Sequence, residues 1–290
     1  MRHILGATDM RHLAQLLAAF AISLFCASAS AQFSFKLPGT SNPVDLGSMF
    51  GNASKMVKGI DEPEEIQIGQ DFASTLLGAK PMMADDHMQR YVNALGHYLA
   101  LQTERPDLPW TFAVLDDPGF NAFATPGGYI FVTRGLVQRM HSESELAGVL
   151  SHEIGHVLRK HYLKAVQKNA GASLLGDLAS AKSGNSQIKD SIVNFAKNLY
   201  SKGLDKEDEF EADRIGVVIA ARAGYDPYGL PAVIQILQEQ SAVDSNFSLL
   251  LKTHPPPVDR LDRLDKLMKN QFDALPGALG ASIATRLKEY

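Results

Sequence analysis

The chain has 290 residues, 28 Lys and Arg against 32 Asp and Glu, and 45% hydrophobic content, which is the profile of a chain that buries a core. A formal net charge of −4 with no basic cluster excludes a nucleic-acid partner. The single cysteine, Cys26, excludes a disulfide framework and leaves no candidate for a cysteine nucleophile in the body of the chain.

Taken in order, the chain opens on Arg2 and Arg11, the apolar run Leu13 to Phe25, and the small residues Ala29-Ser30-Ala31. This is the pattern of a secretory signal peptide over residues 1–31. The apolar run is shorter than the roughly 20 residues a spanning helix requires, so export is expected rather than anchoring. Residues 32–60, rich in Pro, Gly, Ser and Asn, read as a flexible leader. Apolar periodicity then predicts helices over Glu64 to Leu77 and Asp85 to Gln102. Trp110 to Leu115 and Tyr129 to Thr133 have the aromatic and β-branched content of strands, the second preceded by the turn Thr125-Pro126-Gly127-Gly128. Asn121 and Ala122 fall on a loop between them. The second strand is expected to offer an edge to which an extended peptide could add.

A long helix is predicted from Ser142 to Lys168. Glu145, Leu146, Val149, Leu150, Ile154, Val157 and Leu158 recur at helical spacing, and Ser142 with Glu145 forms a capping-box pattern. This helix carries His152-Glu153-Ile154-Gly155-His156. Histidines four apart lie about 40° apart around a helix, so both imidazoles can converge on one ion. Glu153 points to the same cleft but off the metal, where a carboxylate can act as a base toward water. His161 reads as an ordinary, partly exposed residue continuing the helix.

Lys168 to Gly203 reads as mobile helices beside the cleft, among them Ile188 to Tyr200, forming either a lid or a packed hairpin. A helix over Lys206 to Ala223 carries Glu209-Phe210-Glu211-Ala212-Asp213. Catalytic zinc takes three protein ligands, and Glu209 and Asp213, spaced i, i+4, share a face that Glu211 does not. Glu209 is assigned to the metal, with Glu211 as the fallback. Asp213 is expected to hold the far nitrogen of His152. Helices over Pro227 to Gln240 and Pro257 to Lys269 flank Thr253-His254-Pro255-Pro256-Pro257, where the prolines place His254 on a stiff loop. Arg260 either pairs with a carboxylate or faces a developing oxyanion, with an ordinary helix-surface arginine as the rival reading. Seven helices and two strands make the expected fold α+β and mainly helical.

Four ordered segments, NAFATPGGYIFVTRGL from Asn121, AGVLSHEIGHVLRKH from Ala147, EFEADRIG from Glu209 and THPPPVDRLDRL from Thr253, resemble the M48 family of zinc metallopeptidases, in particular its periplasmic BepA-like and LoiP-like branch. The resemblance covers about Glu64 to Leu267 and implies a gluzincin-type domain with a small sheet beside the active-site helix; the domain is expected over 61–270, with a C-terminal helical tail over 271–290. The resemblance also implies one zinc ion per chain held by His152, His156 and Glu209, with Glu153 as catalytic base and His254 and Arg260 near the metal. The implied activity is hydrolysis of misfolded or stalled envelope proteins in the periplasm, with unfolded polypeptides as substrates and the outer-membrane assembly machinery as a partner. The rival is a self-inhibited, adaptor-like protein that binds polypeptide and cleaves rarely.

Overall fold

The computed structural model describes residues 60–165, 168, 203–240, 245–269, 271–272 and 280–289. The signal-peptide and leader expectations, the helix over Ile188 to Tyr200 and the candidate lid lie outside the described residues.

Helix α1 (Glu62–Ala79) starts on a full capping box: the Asp61 carboxylate accepts from Glu64 N–H and the Glu64 carboxylate accepts from Asp61 N–H. Helix α2 (Asp86–Ala100) is capped by Asp85 and buries Met88, Tyr91, Val92, Leu95 and Leu99 along one stripe. Three strands follow, β1 (Thr111–Leu115), β2 (Ala122–Thr125) and β3 (Tyr129–Thr133). Their order is β1-β3-β2, with β1 parallel and β2 antiparallel to β3. The mainly helical α+β class with a small mixed sheet is therefore the one the residue pattern calls for.

Two expectations about the sheet need correction. Asn121-Ala122 is not simply a loop, because Ala122 to Thr125 pairs with β3 in register Ala122↔Val132 through Thr125↔Tyr129. Consequently Tyr129 to Thr133 is the central strand and has no free edge. The outer side of β1 is also occupied: Asn93 Oδ1 accepts from Phe112 N–H and Gln89 Oε1 from Val114 N–H, so amides of α2 cap it. The edge that faces the functional helix belongs to β2.

After the short α3 (Arg134–Val137) comes α4 (Glu143–Leu158), buried along its whole length. The Ser142 hydroxyl caps it by accepting from Glu145 N–H, while the Glu145 carboxylate accepts from His141 N–H rather than from Ser142. Leu146, Leu150 and Ile154 sit fully inside the core, and α4 packs against α2, β2, α5 (Lys206–Arg222) and α6 (Gly229–Gln240). The expected continuation to Lys168 fails at Arg159 and Lys160, where Lys160 takes φ 55° and the chain turns before a new helical segment. That left-handed residue is held by an ion pair of 2.8 Å to the buried Glu65 of α1, which also accepts two hydrogen bonds from Arg105. Helices α7 (Ser248–Thr253), α8 (Pro257–Met268) and α9 (Ile283–Glu289) complete the described chain. The tail is docked: Ile283 is buried in the core, and Arg286 Nη2 lies 3.1 Å from Glu143 Oε2 at the start of α4.

Candidate metal centre

Helices α4 and α5 approach closely because small residues meet between them. A Cβ on Gly216 would lie 2.9 Å from the backbone nitrogen of His152, and one on Gly155 would lie 3.3 Å from Cα of Ala212. This contact brings Glu209, remote along the chain, over the two histidines.

His152, His156 and Glu209 are each at most 3% exposed. Their candidate ligand atoms form a triangle: His152 Nε2 to His156 Nε2 3.1 Å, His152 Nε2 to Glu209 Oε2 3.6 Å, and His156 Nε2 to Glu209 Oε1 3.7 Å. Ligands on a tetrahedral zinc at roughly 2.0–2.1 Å stand about 3.3–3.4 Å apart, so the triangle has the right size. Its chemistry also asks for a cation. Glu209 Oε2 is buried and, among the described residues, without a hydrogen bond. The residues present fit a metal ion.

The surrounding groups orient this triangle. Asp213 Oδ1 lies 2.9 Å from His152 Nδ1, a close contact rather than a well-aligned hydrogen bond. Arg260 grips the same carboxylate twice, through Nε to Oδ2 at 2.9 Å and Nη2 to Oδ1 at 2.5 Å. His254 places Nε2 3.2 Å from Glu209 Oε2, while its Nδ1 is 3.2 Å from the carbonyl of Leu250. Glu211 does not reach the cluster: its carboxylate accepts from Arg159 Nε at 2.7 Å on another face of α5.

Burial would lower the His152 imidazole, but Asp213 and Glu209 outweigh it and push its pKa up to about 9. His156 goes the other way, well below the usual histidine range, through burial and then the neighbouring His152. Burial raises Glu209, yet His254 and His152 bring it below the usual carboxylate range. For Asp213 burial again opposes the charged form and Arg260 overrides it, holding the carboxylate ionised. Burial is what raises Glu153 to about 7, with Glu209 adding to it against His152. His254 falls to about 4, burial outweighing the attraction of Glu209.

Glu153 stands beside the triangle with Oε2 buried and, among the described residues, without a hydrogen bond. The N–H of Ala124 on β2 donates to the hydroxyl of Tyr162 at 3.4 Å. An apolar pocket of about 30 Å³ opens next to Glu153 and His152, lined by Phe120, Leu136, Val149 and Val233.

The sequence reading missed Tyr162 and misplaced His161. His161 is fully buried, with Nδ1 2.9 Å from Nδ1 of His156 and Nε2 3.1 Å from Glu211 Oε2. The expectation of a continuous helix put it on an outer face, whereas the break at Lys160 turns it back toward the centre. No residue-level signal marks a lysine for positive φ.

The model for Peptidase family M48 matches residues 86–268 of this chain. The chain is 31% identical over 208 residues to the beta-barrel assembly-enhancing protease of Escherichia coli O157:H7, covering 68% of this chain and 42% of that protein. It is 30% identical over 244 residues to the protein of the same name in Yersinia pestis, covering 81% of this chain and 49% of the relative. It is 28% identical over 201 residues to the mitochondrial metalloendopeptidase OMA1 of Arabidopsis thaliana, covering 68% and 40%. The chain thus spans less than half the length of these relatives.

Proposed function

The chain belongs to peptidase family M48, and from that premise we propose that it is an exported zinc-dependent endopeptidase acting on misfolded or stalled polypeptides in the periplasm. The observation that carries the reading is the buried His152–His156–Glu209 triangle with edges of 3.1, 3.6 and 3.7 Å beside a carboxylate oxygen of Glu153 that has no hydrogen bond among the described residues. We assign one zinc per chain to that triangle and the catalytic unit to residues 61–270. Bound there, zinc would lower the pKa of water and polarise a carbonyl. Glu153, raised to about 7, is suited to accept the proton of the attacking water and to return it to the departing amine. No acyl-enzyme is required.

The outer edge of β2 is where backbone recognition would occur. Asn121 bonds to Thr133 on β3, so by alternation Ala122 and Ala124 turn their backbone groups outward, and a substrate strand there would replace the Tyr162 hydroxyl at the Ala124 N–H. A substrate strand added there would read main chain and accept many sequences, which suits unfolded clients. The small apolar pocket beside Glu153 favours a small apolar side chain next to the scissile bond. Its partners would be unfolded or misassembled polypeptides and, as the names of two relatives suggest, the outer-membrane assembly machinery. Among the described residues no helix is long and apolar enough to cross a membrane.

Arg260 acts in this scheme through Asp213, the carboxylate-pairing role of its two readings, and His254 is the group best placed to change the centre. Its Nε2 lies 3.2 Å from Glu209 Oε2 but outside the close group formed by the ligand atoms of His152, His156 and Glu209, so a shift of the His254 loop would be needed for it to close the centre to substrate. That distance supports the second reading, an adaptor-like protein that binds clients and cleaves rarely. Casein hydrolysis by the purified protein, by Glu153→Gln and by His254→Ala separates them. Loss in the first and gain in the second supports a self-restrained protease; uniform inactivity with client binding retained favours the adaptor.

A further inference from the structure

The group behind His156 is unusual in being another histidine. His161 Nδ1 lies 2.9 Å from His156 Nδ1, and His161 Nε2 lies 3.1 Å from Glu211 Oε2 and 3.5 Å from Asp208 Oδ1. The Glu211 carboxylate is itself fixed by Arg159, whose Nε donates to it at 2.7 Å.

With His161 neutral, donor and acceptor roles along this chain follow from one end. An ionised carboxylate accepts only, so the nitrogen of His161 that meets Glu211 must carry a hydrogen. In neutral His161 the other nitrogen, Nδ1, is then a lone pair. It can only accept, so His156 Nδ1 must donate. The remaining nitrogen of His156, Nε2, is left with its lone pair directed at His152 Nε2 and Glu209. Without His161 the buried N–H of His156 would have no acceptor at that side among the described residues, and the opposite tautomer would turn a hydrogen toward the metal position.

We propose that His161, backed by Glu211 and Arg159, is a positioning residue that fixes His156 in the tautomer able to bind zinc. The proposal rests on the reading of His156 as a ligand. It gives the centre two different supports: a carboxylate behind His152, supplied by Asp213, and a histidine relayed to a carboxylate behind His156. Orienting partners of this kind are worth typically 10- to 100-fold in metal affinity. Helix α4 alone could not supply it, because His161 reaches His156 only through the left-handed turn at Lys160.

The test is zinc affinity of the full chain, by chelator competition, for wild type, His161→Leu and His161→Asn, together with the urea stability of each metal-free protein. Asparagine retains an amide oxygen near the place of Nδ1. The expected result is a loss of about 10- to 100-fold for His161→Leu, with His161→Asn within about threefold of wild type. His161→Leu binding as tightly as wild type overturns the proposal, and so does an equal loss in both variants. If His161→Leu does not fold, long-range ¹⁵N–¹H spectra of the wild-type protein decide. Hydrogens on His161 Nε2 and His156 Nδ1 support the relay, and a hydrogen on His161 Nδ1 overturns it. Wild-type protein that takes up no zinc would defeat the metal-centre reading as well, an outcome distinct from failure of the relay alone.

Discussion

Replacing Arg260 with methionine isolates a deeply buried ion pair of the centre. Arg260 is 4% exposed and Asp213 1%, and two hydrogen bonds join them. Removing the guanidinium leaves the Asp213 carboxylate in a medium that cannot solvate it, with His152 Nδ1 beside it at 2.9 Å. Breaking a buried pair from one side costs about 3–5 kcal/mol. For a catalytic unit of this size each kcal/mol moves Tm by roughly 2–4 °C, so the expected fall is about 6–20 °C. The double variant Asp213→Leu/Arg260→Met removes both charges and should recover most of that loss, to within roughly 1–2 kcal/mol of wild type. Zinc affinity should not recover with it, because His152 has still lost its orienting carboxylate, a loss of about 10- to 100-fold. Urea denaturation of the metal-free proteins and chelator competition measure the two quantities separately. A single-variant loss under about 1 kcal/mol, or a double variant that regains zinc affinity along with stability, would refute the reasoning.

Other expectations follow from the same geometry. Glu153→Gln should lower peptide hydrolysis by about 10²–10⁴-fold with zinc content unchanged, checked by casein assay and elemental analysis; lost zinc would move Glu153 into the ligand set. His152, raised to about 9, holds a proton that zinc must displace, so zinc affinity should climb by about tenfold per pH unit from 7 toward 9 and then level; a flat profile by chelator competition contradicts this. A Cβ at position 216 would meet the His152 nitrogen at 2.9 Å, so Gly216→Ala should push α5 away from α4, costing about 1–3 kcal/mol in urea denaturation and weakening zinc binding. Peptide libraries cut by the protein should be enriched in small apolar residues next to the scissile bond; enrichment in charged residues would exclude the pocket of about 30 Å³ from recognition.

What could be read from the residues depended on how local the determining physics is. Helix α4 was legible from Ser142 to Leu158, because its cap and apolar recurrence are encoded within it, and the helical spacing of His152 and His156 places their nitrogens 3.1 Å apart. The i, i+4 face shared by Glu209 and Asp213 was legible for the same reason. Strand order was not: β3 carries the stronger strand composition yet lies in the middle, and the short Ala122–Thr125 becomes a strand only by pairing with it. The Arg260–Asp213 pair joins residues 47 apart, and either of two roles for the arginine was open until the helices were placed. His161 depended on a positive φ at Lys160 that is held by Glu65, almost 100 residues away. A contact of that kind lies beyond any local pattern.

Glu209 closes the site opened by the two histidines, and the zinc assignment stands or falls with it. Elemental analysis of purified wild-type protein and of Glu209→Gln, after equal exposure to zinc and buffer exchange, tests this directly. One zinc per wild-type chain and loss of the ion from the folded variant are the predicted results. Metal-free wild type, or a variant that keeps its zinc as tightly, would contradict it.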